Sequence, residues 1–454
     1  MIRFAMSEIS DRLNARHLGA DVSFDAVSTD TRRINPGQLF VALKGPNFDG
    51  HDYLDKALAQ GAAGAMVSRD TAINMPRLLV HDTRIGLGRL AAMWRESSAV
   101  PVVAITGSNG KTTVKEMVAA ILSTQGKVLA TQGNLNNDIG LPLTLLRLQE
   151  HDFAVVEMGA NHVGEIDYLS RIAQPDCVLI NNAGRAHLEG FGSVEQVARA
   201  KGEIINGLKA DGCIIYNGDD LMSGIWRELS AGKRSLRFGT SPSADVLLLS
   251  DSSEFCWNDQ GFVNRFVIAT PMGEIAISMS LAGYHNQLNA AAATAVSLQL
   301  GATAEQIQQG LASISPVAGR LQFRQARQGV YLVDDSYNAN PESVSAAIAV
   351  LAAAPGQRFL VLGPLAELGE GEADFYRELG NAARCQQITR LYAVGNAGLA
   401  AEAFGHGGRV FRDNAELIAA LQGELGAGDA VLVKGSRSAG MEQVVNALIN
   451  GEGV

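Results

Sequence analysis

The segment Ala104-Ile105-Thr106-Gly107-Ser108-Asn109-Gly110-Lys111-Thr112-Thr113 joins a strand-like apolar run, 101–105, to a run with helical spacing of apolar residues, 114–122. A strand, a tight glycine turn and a helix start form a phosphate cradle, because backbone N–H groups and the helix dipole favour an anion. Lys111 can reach terminal phosphates, and the Thr112 hydroxyl can coordinate Mg²⁺. The sequence therefore predicts a nucleoside triphosphate site.

This glycine loop is shorter than the full Walker pattern. That pattern needs glycine at position 105, where the chain has Ile105, and the first glycine is Gly107. The alternative is a plain glycine turn between a strand and a helix. The strand before Gly-Lys-Thr-Thr and the helix after it favour the phosphate site over this alternative.

Composition limits the class of protein. A length of 454 residues predicts about three domains. The net charge of −10 argues against nucleic acid as a partner. Four scattered cysteines form no C-x-x-C pair, and Cys177 and Cys213 lie in apolar runs typical of buried thiols. With no signal-like or membrane-spanning stretch, we expect a cytoplasmic protein without stable membrane insertion.

The order of strand and helix patterns predicts an α/β fold with three domains. A small mixed N-terminal domain covers 1–82, a central P-loop ATPase domain with a parallel sheet covers 83–315, and a C-terminal Rossmann-like domain covers 316–454. Strands are predicted at 101–106, 153–158, 177–182 and 213–216 in the central domain, and at 330–334, 358–362, 391–394 and 430–433 in the last. We interpret 245–282 as an antiparallel extension and Ser315–Gly319 as a hinge.

Several polar residues stand where predicted strands end or helices begin. Glu157 is placed like a Mg²⁺ ligand, although a solvated strand-end charge is the alternative. His187 follows another strand and could be a metal ligand, although a lone histidine is more often structural. The asparagine-rich loop 133–140 fits a hydrogen-bonding loop or a capped turn equally well. Asn286 reads as a helix N-cap and Lys201 as an exposed helical lysine.

Dense polar turns at 333–341 and 433–437 complete the pattern, and together these segments resemble the Mur ligase family over essentially the whole chain. These enzymes use ATP to add amino acids to UDP-N-acetylmuramic acid peptides. Segments 28–32, 134–137, 159–162, 186–192 and 366–369 resemble the member that joins D-alanyl-D-alanine to UDP-N-acetylmuramoyl-tripeptide. The Asp-Asn-Pro-Arg motif of the tripeptide-forming member is not found, and 363–366 departs from the family pattern.

The resemblance implies a two-step amide ligation through an acyl phosphate. It implies four catalytic residues, Lys111, Glu157, His187 and Lys201. The implied ligands of Mg²⁺ are Thr112, Glu157, His187 and Lys201, the last carboxylated to a carbamate. The implied ATP site comprises Gly107, Ser108, Asn109, Gly110, Lys111, Thr112, Thr113, Asn286, Arg320, Asp335, Tyr337 and Asn338.

The resemblance also places the UDP-sugar substrate on the first domain and predicts that the domains close when ligands bind, across Gly319. Candidate substrate-binding residues are Ser28, Thr31, Arg32, Lys44, Gly45, Asn134 and Asn136. A monomer is the expected state.

Alternatives remain open at this point. One is a related amide-forming enzyme, folylpolyglutamate synthase or the tripeptide-forming Mur ligase. The other is a non-catalytic nucleotide-binding switch or assembly factor, which would need no Glu157, His187 or Lys201 at these places. The sequence also leaves open whether the third residue of the peptide is lysine or diaminopimelate.

Overall fold

The computed structural model describes residues 2–185, 188–369 and 371–451. These residues form a mixed α/β structure with sheets of nine, six, five and two strands. The α/β class with parallel sheets, expected from the sequence, is confirmed.

The first residues form the small mixed unit that the sequence predicts. Its five-stranded sheet contains, in spatial order, Arg16–Leu18, Arg77–Leu79, Gly64–Val67, Leu39–Val41 and Val27–Ser28. Strands Phe4–Ala5 and Ser23–Phe24 pair separately. The helices are Met6–Leu13, the 3₁₀ turn Gly50–Tyr53, and Leu54–Ala59.

The nine-stranded sheet forms the centre of the molecule. Its spatial order is Gly273–Met279, Gly261–Thr270, Val246–Asn258, Arg234–Gly239, Cys213–Asn217, Cys177–Ile180, Val102–Thr106, Phe153–Glu157 and Val128–Ala130. The seven strands from Val246–Asn258 to Val128–Ala130 run parallel, and the other two strands are added through antiparallel pairings. The antiparallel extension predicted for 245–282 is therefore confirmed.

Helices cover both faces of this sheet with two separate apolar cores. They are Thr83–Glu96, Lys111–Leu122, Gly140–Leu145, Glu165–Ala173, Leu188–Phe191, Val194–Gly202, the 3₁₀ turn Glu203–Gly207, Ser223–Leu229, Tyr284–Gln299 and Ala304–Ser313. The central parallel strands Val102–Thr106, Phe153–Glu157 and Cys177–Ile180 are buried on both faces, so they are apolar almost throughout rather than alternating.

The six-stranded sheet lies in the last third of the chain. Its spatial order is Gln322–Gln325, Tyr331–Asp335, Ala430–Lys434, Arg358–Leu362, Arg390–Val394 and Gly408–Phe411. Only the first of these strands is antiparallel. The helices are Pro341–Ala352, Glu372–Cys385, Gly398–Phe404, Asn414–Glu424 and Glu442–Asn450, with short 3₁₀ turns at Arg327–Gly329, Gly395–Ala397 and Arg437–Ala439.

Helix Thr83–Glu96 attaches the N-terminal unit to the central sheet. Its Trp94 is fully buried and meets Phe4 edge-on, with ring centroids 5.4 Å apart. The same apolar core contains Met6 from the first unit and Val102 from the central sheet. The two units therefore share one core across the predicted boundary at residue 82.

A hairpin of the central sheet reaches into the last unit. Phe262 is buried in the apolar core of the six-stranded sheet, with Trp257 edge-on at 4.9 Å. The indole N–H of Trp257 donates to the Val350 carbonyl (3.1 Å), and the Tyr331 hydroxyl donates to Asp259 (2.7 Å). We call residues 254–265 the hairpin arm. Its aromatic side chains pack into the core of the last unit, although they lie in the part of the sequence that forms the central sheet.

In the part of the chain that the structure describes, no helix has both the length and the apolar character needed to cross a membrane.

Candidate active site

A cleft of about 1480 Å³ lies between the central and last units, at the carboxyl ends of their parallel strands. It is lined by the glycine loop before Lys111, by the ends of central strands, and by the turns after Asp335 and Lys434. Ligands of parallel α/β sheets bind at such strand ends. The cleft is therefore the candidate active site.

The glycine loop is held by asparagines that follow strand Cys177–Ile180. The Ser108 and Asn109 N–H groups donate to the carbonyl and side chain of Asn182 (3.1 and 2.8 Å). Asn181 donates to the Asn109 carbonyl (3.0 Å) and to Asn289 (2.9 Å). Asn181 and Asn182 were not among the predicted site residues, although their place directly after an apolar strand was a usable signal.

Lys111 stands at the start of helix Lys111–Leu122, inside the cleft. Its ammonium donates to the Gly107 carbonyl (2.7 Å). Burial lowers the pKa of Lys111, the Glu157 carboxylate opposes this effect, and the charge of Arg320 adds to it. A phosphate group here would meet a cation that has few other counter-charges.

Glu157 ends its strand as a buried carboxylate, so the alternative of a solvated strand-end charge is wrong. One carboxylate oxygen accepts from the Thr112 hydroxyl (2.8 Å) and the other from the Asn136 amide (2.7 Å). The Glu157 N–H donates to Thr131 (3.0 Å). The fold thus brings together three predicted site residues that are distant in sequence, Thr112, Asn136 and Glu157.

Lys201 is buried, with 2% of its surface exposed, so the expectation of an exposed helical lysine is wrong. It lies on the inner face of helix Val194–Gly202, where Val197 and Ala198 are also buried. Burial lowers the pKa of Lys201 to about 7, and the charge of Lys111 adds to this effect. Within the described residues, no hydrogen bond or ion pair compensates this ammonium. His187, the other catalytic candidate, lies outside the described residues.

The last unit contributes an ion pair to the cleft. The Lys434 ammonium donates to Asp335 (2.6 Å) and to the Asn338 carbonyl (3.1 Å). Asp335 also accepts from the Leu321 N–H (3.1 Å). Burial raises the pKa of Asp335, and Lys434 counteracts this. Lys434 was not among the predicted site residues, although it closes an apolar strand at the carboxyl edge of a sheet, which was a usable signal.

Arg320 lies over the Tyr337 ring, with its guanidinium carbon 4.4 Å from the ring centroid. Both residues line the cleft beside Asp335 and Asn338. The guanidinium Nε of Arg320 is buried and has no partner in the described part of the chain. All four C-terminal candidates for nucleotide binding therefore face the glycine loop across one cavity.

Contacts between the two units span the cleft. The Asn340 amide donates to the Asn109 side chain (2.8 Å). Arg185 donates to Glu342 (2.7 Å) and to Glu378 (2.9 Å). The two walls of the cavity therefore touch in this structure.

Asn286 lies in the cleft wall but does not cap its helix. The helix begins at Tyr284 with Gly283 as the N-cap, so the N-cap interpretation of Asn286 is wrong. The Asn286 amide donates to the Ala282 carbonyl (2.8 Å) and its oxygen accepts from Asn289 (2.9 Å). Asn286 is buried, and these two hydrogen bonds satisfy its side chain.

The candidate substrate-binding residues fall into two groups. Asn134 and Asn136 line the cleft. The others lie in the N-terminal unit and do not line it: Ser28, Thr31, Arg32, Lys44 and Gly45. Arg32 is exposed and pairs with Asp30 (2.8 Å), which lowers the pKa of that carboxyl group to about 2.

Comparison with known proteins agrees with this architecture. The model of the Mur ligase middle domain matches residues 105–297, that of the Mur ligase glutamate ligase domain matches 319–437, and that of the Mur ligase family catalytic domain matches 23–118. The chain belongs to the Mur ligase family. The three matches together cover most of the chain, including both walls of the cleft.

Individual Mur ligases are similar over nearly the full length. UDP-N-acetylmuramoyl-tripeptide–D-alanyl-D-alanine ligase of Escherichia coli K12 is 46% identical over 451 residues, 99% of each chain. A solved Acinetobacter baumannii structure, named UDP-N-acetylmuramoylalanyl-D-glutamyl-2,6-diaminopimelate–D-alanyl-D-alanyl ligase, is 35% identical, with a TM-score of 0.86 over 99% of this chain and 98% of that one. The MurF ligase of Thermotoga maritima in complex with ADP is 31% identical, with a TM-score of 0.83 over 93% of this chain and 96% of that one.

Proposed function

We propose that this chain is an ATP-dependent ligase that joins D-alanyl-D-alanine to UDP-N-acetylmuramoyl-tripeptide, a step of peptidoglycan precursor synthesis. The observation that carries this proposal is the cleft in which the glycine loop meets the buried Glu157 and Thr112. The full-length similarity to enzymes of that name favours this reaction over the folylpolyglutamate and tripeptide-forming alternatives. The expected location is the cytoplasm and the expected state a monomer.

The reaction has two steps. First, an oxygen of the tripeptide's terminal carboxylate attacks the γ-phosphorus of ATP, the bond to the β-phosphate oxygen breaks, and ADP leaves. Then the neutral amine of the dipeptide attacks the acyl carbon, phosphate leaves with the bonding electrons, and the amine loses a proton. Because anions approach one another in the first step, catalysis depends mainly on positioning and charge neutralisation.

In this mechanism the glycine loop, 107–113, binds the phosphates through its N–H groups, and Lys111 supplies positive charge beside them. Arg320 approaches the nucleotide from the other wall. Asn286, together with Asp335, Tyr337 and Asn338, would complete the ATP pocket. Residues from both sides of Gly319 then hold one ligand, and closure around it excludes water from the acyl phosphate.

Two residues that line the cleft, Thr112 and Glu157, also fit a magnesium site. Glu157 offers a buried carboxylate beside the Thr112 hydroxyl, the hard oxygen donors that this ion prefers. We assign Thr112, Glu157, His187 and Lys201 as the residues that would hold Mg²⁺. Such an ion supplies Lewis-acid charge stabilisation between carboxylate and phosphate.

Lys201 fits this set only as a carbamate. Its neutral amine would attack CO₂, form an N–C bond and lose a proton, which turns a cation into an anionic oxygen ligand. A lysine with a pKa of about 7 is largely neutral at slightly alkaline pH, as that reaction requires. An uncompensated buried ammonium beside Lys111 would otherwise only cost stability.

The decisive assay measures phosphate release from ATP and Mg²⁺ with purified UDP-N-acetylmuramoyl-tripeptide, with and without D-alanyl-D-alanine. Release that needs both substrates, with a product heavier by the dipeptide, is the expected result. Release only with a free amino acid and a shorter UDP-peptide would indicate a sister ligase. Tight ATP binding without release under any condition would favour the non-catalytic alternative.

The role of Lys201 is tested with Lys201→Ala. We expect this variant to lose most ligase activity and to regain part of it with small carboxylates, which restore an anionic ligand. Lys209→Ala is the matched control, because Lys209 is more exposed and pairs with Asp176 (2.8 Å) away from the cleft. Full activity of Lys201→Ala without added carboxylate would contradict the assignment.

A further inference from the structure

An ion pair at the edge of the cleft has no part in the mechanism above. Arg84 and Asp138 both line the cavity, and an Arg84 Nη donates to a carboxylate oxygen of Asp138 (2.8 Å). The second Asp138 oxygen contacts Arg84 Nε, so the carboxylate occupies one side of the guanidinium fork. Within the described residues, Arg84 Nη1 has no hydrogen-bond partner. About half of the Arg84 side chain is exposed and Asp138 is a third exposed, so both reach cleft solvent.

Both members of this pair stand on fixed backbone. Arg84 is in the first turn of helix Thr83–Glu96, and its N–H donates to the N-cap Asp82 (2.7 Å). Asp138 follows Asn137, whose side chain accepts from the N–H groups of Ile139 and Gly140 (3.2 and 2.9 Å). Groups held in this way present their charges in a defined place, as ligand recognition requires.

The pair is also close to the reacting centre. Asp138 is two residues from Asn136, which contacts Glu157, so at most about 7 Å of chain separates their Cα atoms. The proposed reaction places the acyl carbon in the cleft, beside the γ-phosphate that the glycine loop binds. Arg84 and Asp138 line the same cleft, so the side chain of the residue that carries the acyl group can extend to them.

The chemistry of that side chain differs between the two candidate tripeptides. Lysine ends in an ammonium group alone. Diaminopimelate, after one amine is in the peptide bond and one carboxyl group is activated, keeps an ammonium and a carboxylate at its tip. A fixed carboxylate beside a guanidinium with an open N–H edge is complementary to such a zwitterion, because each charge meets its opposite.

We infer that Arg84 and Asp138 recognise the zwitterionic tip of diaminopimelate, and that the enzyme therefore prefers the diaminopimelate tripeptide over the lysine tripeptide. Arg84 binds the tip carboxylate through its open edge, and Asp138 binds the ammonium. This inference rests on the proposed ligase function and specifies the third residue of its substrate.

The test compares kcat/KM for the two UDP-tripeptides, with D-alanyl-D-alanine and ATP saturating. We expect the wild type to prefer the diaminopimelate substrate. Arg84→Gln should lower kcat/KM for that substrate by roughly ten- to hundredfold, the range of a charge-assisted hydrogen bond, and leave the lysine substrate near its wild-type value. Asp138→Asn should weaken both substrates, since both carry the ammonium.

Arg89→Gln is the matched control, because Arg89 lies on the same helix, away from the cleft, and donates to the Leu13 carbonyl (3.2 Å). Thermal midpoints and ATP affinity establish that each variant is folded, and Arg84→Lys should recover part of the preference. An Arg84→Gln variant that loses equal activity on both substrates, or keeps the wild-type ratio, would overturn the inference, as would a wild type that prefers lysine. If the wild type ligates neither tripeptide, the proposed function itself fails, and the inference with it.

Discussion

Gly110 in the phosphate-binding loop allows a quantitative prediction, because two separate effects of adding a methyl group can be distinguished there. Its φ is +78°, in the left-handed region. A Cβ at this position would lie 2.6 Å from the Asn181 amide nitrogen and 2.7 Å from the Asn289 oxygen, the two atoms that hydrogen-bond to each other. Gly110→Ala therefore strains the backbone and also separates a buried polar pair.

The cost follows from these two effects. An alanine in the left-handed region costs about 1–2 kcal/mol. Leaving a buried hydrogen-bonding group without its partner costs about 1–3 kcal/mol more. Gly110→Ala should thus destabilise by roughly 2–5 kcal/mol, whereas a glycine with the same φ and open space around it should cost only the first part.

Gly301 is that matched control, with φ +83° and no heavy atom within 4 Å of the point where an added Cβ would lie. We expect Gly110→Ala to lower the thermal midpoint by at least about 2 °C more than Gly301→Ala. It should also weaken ATP binding, measured by titration calorimetry, by about tenfold or more (about 1.4 kcal/mol), because the N–H groups of a displaced loop no longer point at the phosphates. Equal midpoints and wild-type ATP affinity in both variants would refute this interpretation of the loop.

Three further predictions concern other parts of the molecule. Lys434→Met leaves the Asp335 carboxylate buried without its counter-charge and should lower the free energy of unfolding by about 3–5 kcal/mol. Adding Asp335→Asn to this variant should recover part of that loss. A double variant that loses as much stability as the sum of the two single variants would contradict the coupling. Because the pKa of Lys201 is about 7, the neutral fraction of this amine grows as pH rises through that value. The ¹³C NMR signal of the carbamate, at fixed dissolved CO₂, should therefore increase between about pH 6 and about pH 8. A signal that does not change with pH would exclude carbamate formation. Phe262→Ala removes a buried ring from the last unit and should cost about 3–5 kcal/mol in thermal unfolding, against little for the exposed Met272→Ala; similar midpoints would show that the hairpin arm adds no stability.

Apolar runs predicted the parallel strands that are buried on both faces, such as Val102–Thr106 and Cys177–Ile180. The parallel strands Val128–Ala130 and Arg234–Gly239 were not predicted, because the first has only three residues and the second carries polar residues and is only partly buried. The antiparallel strands of 245–282 could be recognised from alternation alone. Strand Gly408–Phe411 was not identified, since it is a short edge strand with two exposed residues and lacks an apolar run. Edge strands offer weak patterns because only part of their surface is buried.

The site was less accessible to sequence reasoning. Residues next to strand ends, such as Glu157, could be selected because topology brings those ends together. The burial of Lys201 could not be predicted from its neighbours. Alanine and glycine, which flank it on a short helix, occur on both buried and exposed helix faces. The Asp335–Lys434 pair joins positions 99 residues apart, and pairing at that separation depends on the strand order, which no local pattern specifies.

The hairpin arm has a consequence for how such a chain can be recombined in evolution or in the laboratory. A segment that starts at residue 316 carries the six-stranded sheet but not Phe262 or Trp257, so Phe323 and Tyr331 would face water. When the last unit is exchanged between two ligases, the six-stranded sheet is moved without Trp257 and Phe262, the aromatic residues that cover it and that lie earlier in the chain. Chimaeras should therefore inherit residues 254–265 from the same parent as the last unit, and the heritable module is discontinuous in sequence.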